Sequence, residues 1–338
     1  MTRGNSKKPD SPVRNFTPSL RNTKHLIIAT DKVPVYHEQG REPISIEKQI
    51  LITIWYLANK DSHREIADRF NITGSSVTRT KARVVNAITS LMNEFITWPT
   101  GPRLHLIQEK FHEINGFPGV VGAIDGTHIS IAPPKNHKAS YLNRKKYHSL
   151  VLQIYHREID EKIDIDCEFI QAVVDHQMGF TDIYVGWPGS VHDARVYANS
   201  KINLRSAELF PIQGHLIGDG AYPLSKTMLT PYRDNGHLSP QQRNYNKKHS
   251  STRVVVERAF GLLKVKWRRL HHLEMSSVDS MCQVIAASCV LHNFVLVEDG
   301  PEDIPEAEED GVDDNNGLAD DVNSTGHNKR DYIAGLLV

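Results

Sequence analysis

The sequence has few of the features that mark secreted or membrane proteins. It contains only three cysteines in 338 residues and no C-x-x-C pair, so neither a disulfide framework nor a structural zinc site is expected. There is no run of about 18 apolar residues of the kind that forms a transmembrane helix. The polar, basic first 21 residues lack the hydrophobic stretch of a secretory signal. We therefore expect a reducing compartment, with Cys167, Cys282 and Cys289 as apolar core residues.

Acidic and basic residues are unevenly distributed, although the net charge is zero. Residues 298–321 contain 12 acidic residues and no basic one. Residues 1–297 hold 38 Lys and Arg against 27 Asp and Glu. A basic body with an acidic tail favours binding to a polyanion, but it also fits a solvated surface followed by a disordered tail.

Composition and periodicity divide the chain into four regions. Residues 1–42 are polar and predicted to be flexible, residues 43–100 are helical, residues 101–297 mix strands with helices, and residues 298–338 form an acidic tail predicted to be disordered. The third region predicts a layered α/β core. Its expected elements are strands over 120–124, 128–131, 150–155, 169–174 and 216–217, a polar loop over 235–251, and helices over 254–263 and 278–296.

The segment from His63 to Thr89 predicts two helices joined by a short turn. Ser62 and Glu65 have the spacing of a capping box at the first helix, and Ser75 or Ser76 could cap the second. A helix-turn-helix of this kind places its second helix in the major groove of DNA. An ordinary helical hairpin with a solvated basic face is the alternative. The side chains expected on the exposed face are Ser76, Thr78, Arg79, Lys81 and Arg83.

Two aspartates follow short apolar strands. Asp125 lies in G-A-I-D-G-T-H and Asp219 in G-D-G-A-Y-P, and each is followed by a glycine that lets backbone and ligand approach closely. A carboxylate in such a place is costly unless it is paired or binds a cation. Two converging carboxylates favour a hard divalent cation, Mg²⁺ or Mn²⁺, over zinc.

Glu257 lies on a predicted helix with Arg253 four residues before it and Lys264 seven after it. This spacing puts all three on one helical face. The pattern fits a metal ligand beside phosphate-binding groups. It also fits a surface ion pair between Arg253 and Glu257, worth less than about 1 kcal/mol.

Several motifs occur in an order that resembles the Harbinger superfamily of DDE transposases and the host nucleases derived from them. They are G-A-I-D-G-T-H (122–128), P-G-S-V-H-D-A-R (188–195), G-D-G-A-Y-P-L (218–224) and V-E-R-A-F-G-L-L-K (256–264). L-N-R-K-K-Y-H-S (142–149) and C-V-L-H-N-F (289–294) extend the resemblance to roughly 117–293. Each motif is weak alone, but their order and spacing together are specific.

The resemblance implies a ribonuclease H-like DDE nuclease core over 101–297, behind an N-terminal helix-turn-helix domain over 43–100. It implies two-metal cleavage of phosphodiester bonds, with Asp125, Asp219 and Glu257 as metal ligands and catalytic acids. Asp193 is the alternative second acid, and His192 and His128 are supporting candidates. The residues expected to bind DNA phosphates are Arg253, Lys264, Arg79, Arg83, Lys145 and Lys247.

DNA is the partner that these features imply, and the nucleus is the expected location, with the cytoplasm as a second one. A separate DNA-binding partner protein and a homo-oligomer are further expectations, and no membrane association is expected. Two other functions stay open. One is a catalytically silent DNA-binding or scaffold protein. The other is a metal-dependent phosphatase, which the basic segments disfavour because they suit a long polyanion.

Overall fold

The computed structural model describes residues 43–131, 149–150, 170–185, 193–275, 277–299 and 324–337. The predicted flexible segment over 1–42 lies outside these residues, as do Cys167, Lys145 and His192.

Five helices come first in the described part of the chain. They are α1 (Ile46–Ala58), α2 (His63–Phe70), α3 (Gly74–Thr89), α4 (Met92–Phe95) and α5 (Gly101–Asn115). Ser62 and Glu65 form the predicted capping box at the start of α2. The cap of α3 is Thr73, whose hydroxyl accepts a hydrogen bond from the Ser76 N–H, so the prediction of Ser75 or Ser76 is wrong. Asn71 ends α2 in the left-handed conformation (φ 49°), which allows the tight turn into α3.

The central sheet is mixed and has the strand order β5-β4-β1-β6-β7. β4 is antiparallel to β1 and β5, whereas β6 is parallel to β1 and β7. Strands β5 and β7 were not among the predicted elements. The strands are β1 (Val120–Thr127), β4 (Ile170–Val174), β5 (Phe180–Val185), β6 (His215–Ile217) and β7 (Met228–Leu229), with a separate pair of β2 (Ile129–Ser130) and β3 (Ser149–Leu150).

Short helices connect β5 to β6, and a long helix follows β7. The short ones are α6 (Asp193–Ala198), α7 (Lys201–Leu204) and α8 (Ser206–Leu209). The long helix α9 spans Pro240–Lys266, so the predicted loop over 235–251 is wrong. Ser239 and Gln242 form a capping box at its start, with Pro240 in the first turn. Polar His249 and Thr252 lie on its buried face, which hides the apolar periodicity.

Helix α10 (Val278–Asp299) is the buried helix that the sequence predicts. Within the described residues it is the one helix long and apolar enough to cross a membrane, with mean hydropathy 1.7 over 278–297. Its apolar window is 78% buried inside the protein, as in the core helix of a globular fold. Cys282 and Cys289 are buried on it, as predicted.

The N-terminal helices share one hydrophobic core with the sheet. Ile50 of α1, Val84 of α3 and Leu291 of α10 belong to the same buried cluster. Thr89 at the end of α3 donates a hydrogen bond to the carbonyl of Gln283 on α10. The predicted division into separate regions over 43–100 and 101–297 therefore does not correspond to two cores, because α10 covers the apolar face of α3.

The prediction of a disordered tail over 298–338 is wrong for residues 324–336. Helix α11 (Ser324–Leu336) packs against α9 and β7 and buries Ile333 and Ala334. The Lys329 ammonium donates hydrogen bonds to the carbonyls of Gly214 and Lys226. The acidic run ends at residue 321, and the apolar residues beyond it suffice to dock a helix.

Buried Asn293 clamps three parts of the fold together. Its Nδ2 donates to the carbonyls of Phe95 (2.8 Å) and Phe180 (2.7 Å), and its Oδ1 accepts from the Phe180 N–H at 2.8 Å. Asn293 thus joins α10 to α4 and to the first residue of β5, which gives the C-V-L-H-N-F motif a structural role.

Replacing Asn293 with alanine should lower the free energy of unfolding by about 3 kcal/mol, because three hydrogen bonds of about 1 kcal/mol each are lost. Urea denaturation measures this change. The matched control is Asn199→Ala, since the exposed Asn199 amide donates only to the carbonyl of Arg195. If both variants lose the same free energy of unfolding, the three hydrogen bonds of Asn293 do not have the proposed structural role.

Candidate active site

Asp125 and Asp219 lie at the same edge of the sheet. Ala123 pairs with Ile217 in the parallel ladder of β1 and β6, and each aspartate comes two residues later in the chain. Because side chains alternate along a strand, the Asp125 carboxyl falls on the side of Ala123. The Asp219 carboxyl, just past the end of β6, lies near enough to raise the pKa of Asp125. Adjacent strands are about 4.8 Å apart, so the two carboxyls are close neighbours.

The chain around Asp219 is held by the packing of Gly218. The Gly218 N–H donates to the Leu229 carbonyl at 3.1 Å, and a Cβ at Gly218 would lie 2.8 Å from Cδ2 of Tyr222. A Cβ at Gly220 would meet open space, so packing requires glycine before the aspartate and not after it. The Ala221 N–H then donates to Asp219 Oδ1 at 3.0 Å and fixes the carboxyl.

Helix α9 brings Glu257 and Arg253 to these strand ends. Arg253 Nη1 donates to Asp125 Oδ2 at 2.7 Å, and Arg253 Nη2 donates to Glu257 Oε1 at 2.5 Å. The side chain of Arg253 is 19% exposed and that of Glu257 is 45% exposed. The ion pair considered for Arg253 and Glu257 therefore exists, but the same guanidinium also reaches Asp125.

Electrostatics link all three acids. Burial raises the pKa of Asp125 to about 6, and repulsion from Asp219 and Glu257 adds to this effect, while Arg253 and the Gly126 N–H oppose it. Burial lowers the pKa of Arg253, but attraction to Asp125, Glu257 and Asp219 raises it by more. Three carboxylates that are distant in the chain thus form one site around one arginine.

The donor atoms of this site suit a hard divalent cation, since carboxylate oxygens are the ligands that Mg²⁺ and Mn²⁺ prefer. In the parts of the chain that the structure describes, no three acidic, histidine or cysteine side chains surround one metal position. Arg253 lies between Asp125 and Glu257 instead. The residues fit a cation once Arg253 moves aside, and the partly exposed Glu257 has room to reorient.

Asp193 approaches from the opposite face of the sheet. It begins α6, and its backbone carbonyl accepts a hydrogen bond from Gln171 Nε2 at 3.5 Å. Gln171 pairs with Gly126, so its side chain lies on the face away from Asp125. The carboxyls that raise the pKa of Asp125 are those of Asp219 and Glu257. Asp193 is not among them, and the choice of Asp219 over Asp193 as the second acid stays a prediction.

Tyr222 and Gln171 are site residues that the sequence analysis did not identify. Gln171 Nε2 donates to the Tyr222 hydroxyl at 3.0 Å, and both side chains are buried. Burial raises the pKa of Tyr222, as do Asp193, Asp125 and Asp219. Tyr222 therefore lies close enough to both candidate second acids to feel their charge, and its place in the G-D-G-A-Y-P motif was the available signal.

Lys264 and His128 lie at the far end of β1. Lys264 Nζ donates to Thr127 Oγ1 at 2.7 Å and to the His128 carbonyl at 3.2 Å, which ties α9 to the residues that follow Asp125. His128 and Lys264 also line a cavity of about 310 Å³ together with Ser130 and His271. In this arrangement Lys264 supports the end of β1.

The other basic candidates are spread over two helices. Arg79 is exposed and Arg83 is partly exposed on α3, and Lys247 is exposed on α9. Lys81, expected on the exposed face of α3, is buried instead, with its Nζ 4.6 Å from the centre of the Tyr56 ring. The exposed face of α3 is therefore narrower than the sequence predicts.

Replacing Arg253 with glutamine should lower the free energy of unfolding by about 3 kcal/mol in the absence of divalent ions, because it leaves the acids without their counter-ion. Added Mn²⁺ should stabilise this variant more than the parent protein. Thermal denaturation with EDTA and with Mn²⁺ measures both effects. The control is Arg205→Gln, whose ion pair with Glu208 is exposed. If the Arg253 variant loses no more stability in EDTA than this control and gains no more from Mn²⁺, the counter-ion role of Arg253 is contradicted.

Comparison with known proteins identifies the family of this chain. The family model described as DDE superfamily endonuclease matches residues 124–293. "Protein ALP1-like" of Arabidopsis thaliana is 28% identical over 79% of this chain and 64% of its own length. "Putative nuclease HARBI1" is 28% identical in Rattus norvegicus and 27% in Homo sapiens, each over 76% of this chain and 69% of the relative.

The chain spans about two thirds of the length of these curated relatives, and less than two thirds of the Arabidopsis protein. No solved structure matches it. The matches confirm the resemblance to Harbinger-type transposases. Because the family model covers half of the sequence and includes Asp125, Asp219 and Glu257, the chain belongs to the DDE superfamily of endonucleases.

Proposed function

We propose that this protein is a metal-dependent DNA endonuclease of transposase origin, in which Asp125, Asp219 and Glu257 hold the divalent ions. The observation that carries the proposal is that all three carboxyls act on Arg253, although Glu257 lies 132 positions after Asp125 in the sequence. A ribonuclease H-like core is part of the proposal. It is supported by two acids on neighbouring strands and a third on the helix packed across them.

The DDE superfamily generally uses divalent metal ions, and we propose Mg²⁺ or Mn²⁺ in a two-metal site. Such ions supply Lewis-acid activation of the attacking water and stabilise the leaving 3′ oxygen of an in-line displacement. With Asp125, Asp219 and Glu257 holding such ions, the Arg253 guanidinium would be available to bind a DNA phosphate beside the scissile bond.

Several contacts hold the acids in position for this chemistry. The Gly126 N–H donates to Asp125 Oδ1 at 2.7 Å, and the Ala221 N–H restrains Asp219. Lys264 anchors the end of β1, two and three residues after Asp125. These contacts limit the reorganisation needed on substrate binding, and only Glu257 and Arg253 need to change rotamer.

DNA binding by α2 and α3 as a helix-turn-helix is part of the same proposal. Arg79 and Arg83 would contact the duplex from α3, with Lys247 contributing from α9. A nuclear location, with the cytoplasm as a second one, follows from the DNA substrate. A separate DNA-binding partner and a homo-oligomer are consistent with this function. The competing function is a catalytically silent DNA-binding or scaffold protein.

Plasmid nicking tests the catalytic proposal. The parent protein should convert supercoiled DNA to the open-circular form with Mg²⁺ or Mn²⁺ and not with EDTA. Asp125→Asn, Asp219→Asn and Glu257→Gln should each lower the nicking rate at least about a hundredfold, because each removes a proposed metal ligand. Asp279→Asn is the matched control, since Asp279 is an exposed acid on α10.

The possible outcomes separate the competing interpretations. Parental activity in all three variants would refute the proposed site. Loss of nicking in Asp193→Asn together with its retention in Asp219→Asn would make Asp193 the second acid. A parent protein that binds DNA but never nicks it would favour the silent scaffold.

The helix-turn-helix proposal has its own test. Arg79→Ala with Arg83→Ala should weaken duplex binding and make the plot of log K against log salt concentration shallower by about 1.8, because two phosphate contacts are lost. Fluorescence anisotropy measures both quantities. The control pair is Lys201→Ala with Arg205→Ala, two exposed residues at α7. Unchanged binding by the α3 variant would leave α2 and α3 as packing helices only.

A further inference from the structure

Helix α9 has an unusual charge composition. Among its 27 residues Glu257 is the only acidic one, whereas seven are lysine or arginine. At a rise of about 1.5 Å per residue the helix is roughly 40 Å long, about the diameter of a small domain. Like charges at helical spacing repel each other, so such an excess of positive charge destabilises an isolated helix. A ligand of opposite charge would remove this repulsion.

The exposed cations form a line along the helix. With roughly 100° of rotation per residue, Arg243, Lys247 and Arg258 fall within about 40° of a common line, which also passes over Val254 and Gly261. All three cations are exposed. We call Arg243, Lys247 and Arg258 the α9 stripe. The stripe contains no acidic side chain.

Two other cations of α9 make contacts inside the protein. Arg253 contacts Asp125 and Glu257, and Lys264 contacts Thr127. The α9 stripe differs, because no ion pair with another described residue neutralises its members. Its positive charge is therefore available to a ligand from outside.

The stripe runs directly beside the candidate active site. Glu257, Lys264 and Arg253 lie on the same helix, rotated by roughly 60° to 100° to one side of the stripe. A ligand that follows the stripe from Arg243 therefore reaches the carboxylates near Arg258. This continuity is what distinguishes the stripe from a basic surface elsewhere on the protein.

We propose that the α9 stripe binds the sugar-phosphate backbone of duplex DNA next to the bond to be cut. This inference rests on the proposed nuclease function and adds to it the surface that orients the substrate. From Arg243 to Arg258 the helix rises about 22 Å, which corresponds to six or seven nucleotides of one strand at about 3.4 Å each. Val254, between Lys247 and Arg258, and Gly261 just beyond Arg258 allow close approach of the backbone.

The test measures the salt dependence of DNA binding without cleavage. The triple variant Arg243→Gln, Lys247→Gln and Arg258→Gln is compared with the parent by fluorescence anisotropy. The probe is a labelled 30-base-pair duplex in EDTA, from 50 to 200 mM NaCl. The plot of log K against log salt concentration should become shallower by about 2.7, because each lost phosphate contact contributes about 0.9.

The matched control triple is Lys110→Gln, Lys201→Gln and Arg205→Gln, which changes the net charge equally on α5 and at α7. Its slope should equal that of the parent. The proposal is overturned if the stripe variant keeps the parental slope, or if the control variant loses as much slope as the stripe variant. An equal loss in the control would mean that net charge alone sets the affinity.

Plasmid nicking by the parent protein separates this proposal from the proposed function. If the parent nicks plasmid and the stripe variant keeps its slope, the stripe proposal alone fails. If the parent neither binds the duplex nor nicks plasmid, both proposals fail. Tighter binding of polyglutamate than of duplex by the parent, abolished in the stripe variant, would instead assign the stripe to an acidic peptide.

Discussion

The contact of Arg253 with Asp125 and Glu257 is the interaction on which the candidate site depends. Three carboxylates that converge at the edge of a sheet repel each other, and burial makes this repulsion stronger. A cation must therefore be present in the folded protein. The arginine supplies it, and doing so fixes the rotation of α9 about its own axis, since the guanidinium must face β1. In the proposed function, divalent ions would take the place of the arginine, which would then contact the substrate.

The scaffold around this contact restricts its movement. β1 is paired on both sides, with β4 and β6, and carries Asp125 near its end. Gly218 allows the Tyr222 ring to pack against the chain that leads into Asp219. Lys264 then ties α9 to the last residue of β1. Rigid supports of this kind matter for metal-dependent chemistry, because small displacements of a ligand cost much of the rate.

The position of the N-terminal helices has a consequence for DNA recognition. α10 packs against both α3 and the sheet, and the three share a single hydrophobic core. A surface that reads DNA on α3 would therefore be held at a fixed position relative to the acids. In a protein with separate domains the two functions would be joined by a linker, and the distance between binding and cutting would vary.

The amino-acid sequence by itself determined the local features of this protein. The residue pattern predicts the apolar strands that lead to Asp125 and Asp219, the Ser62 capping box and the buried α10. The ordered motifs specify the family. The tertiary structure decided the rest. The first half of α9 was hidden because buried His249 and Thr252 break its apolar periodicity, and β7 is only two residues long. The joining of Asp125 to Arg253 spans 128 residues of sequence, so only the packing of α9 across the sheet could establish it. The local pattern of apolar and polar residues determines how a segment folds, whereas a site built from distant segments depends on how those segments pack.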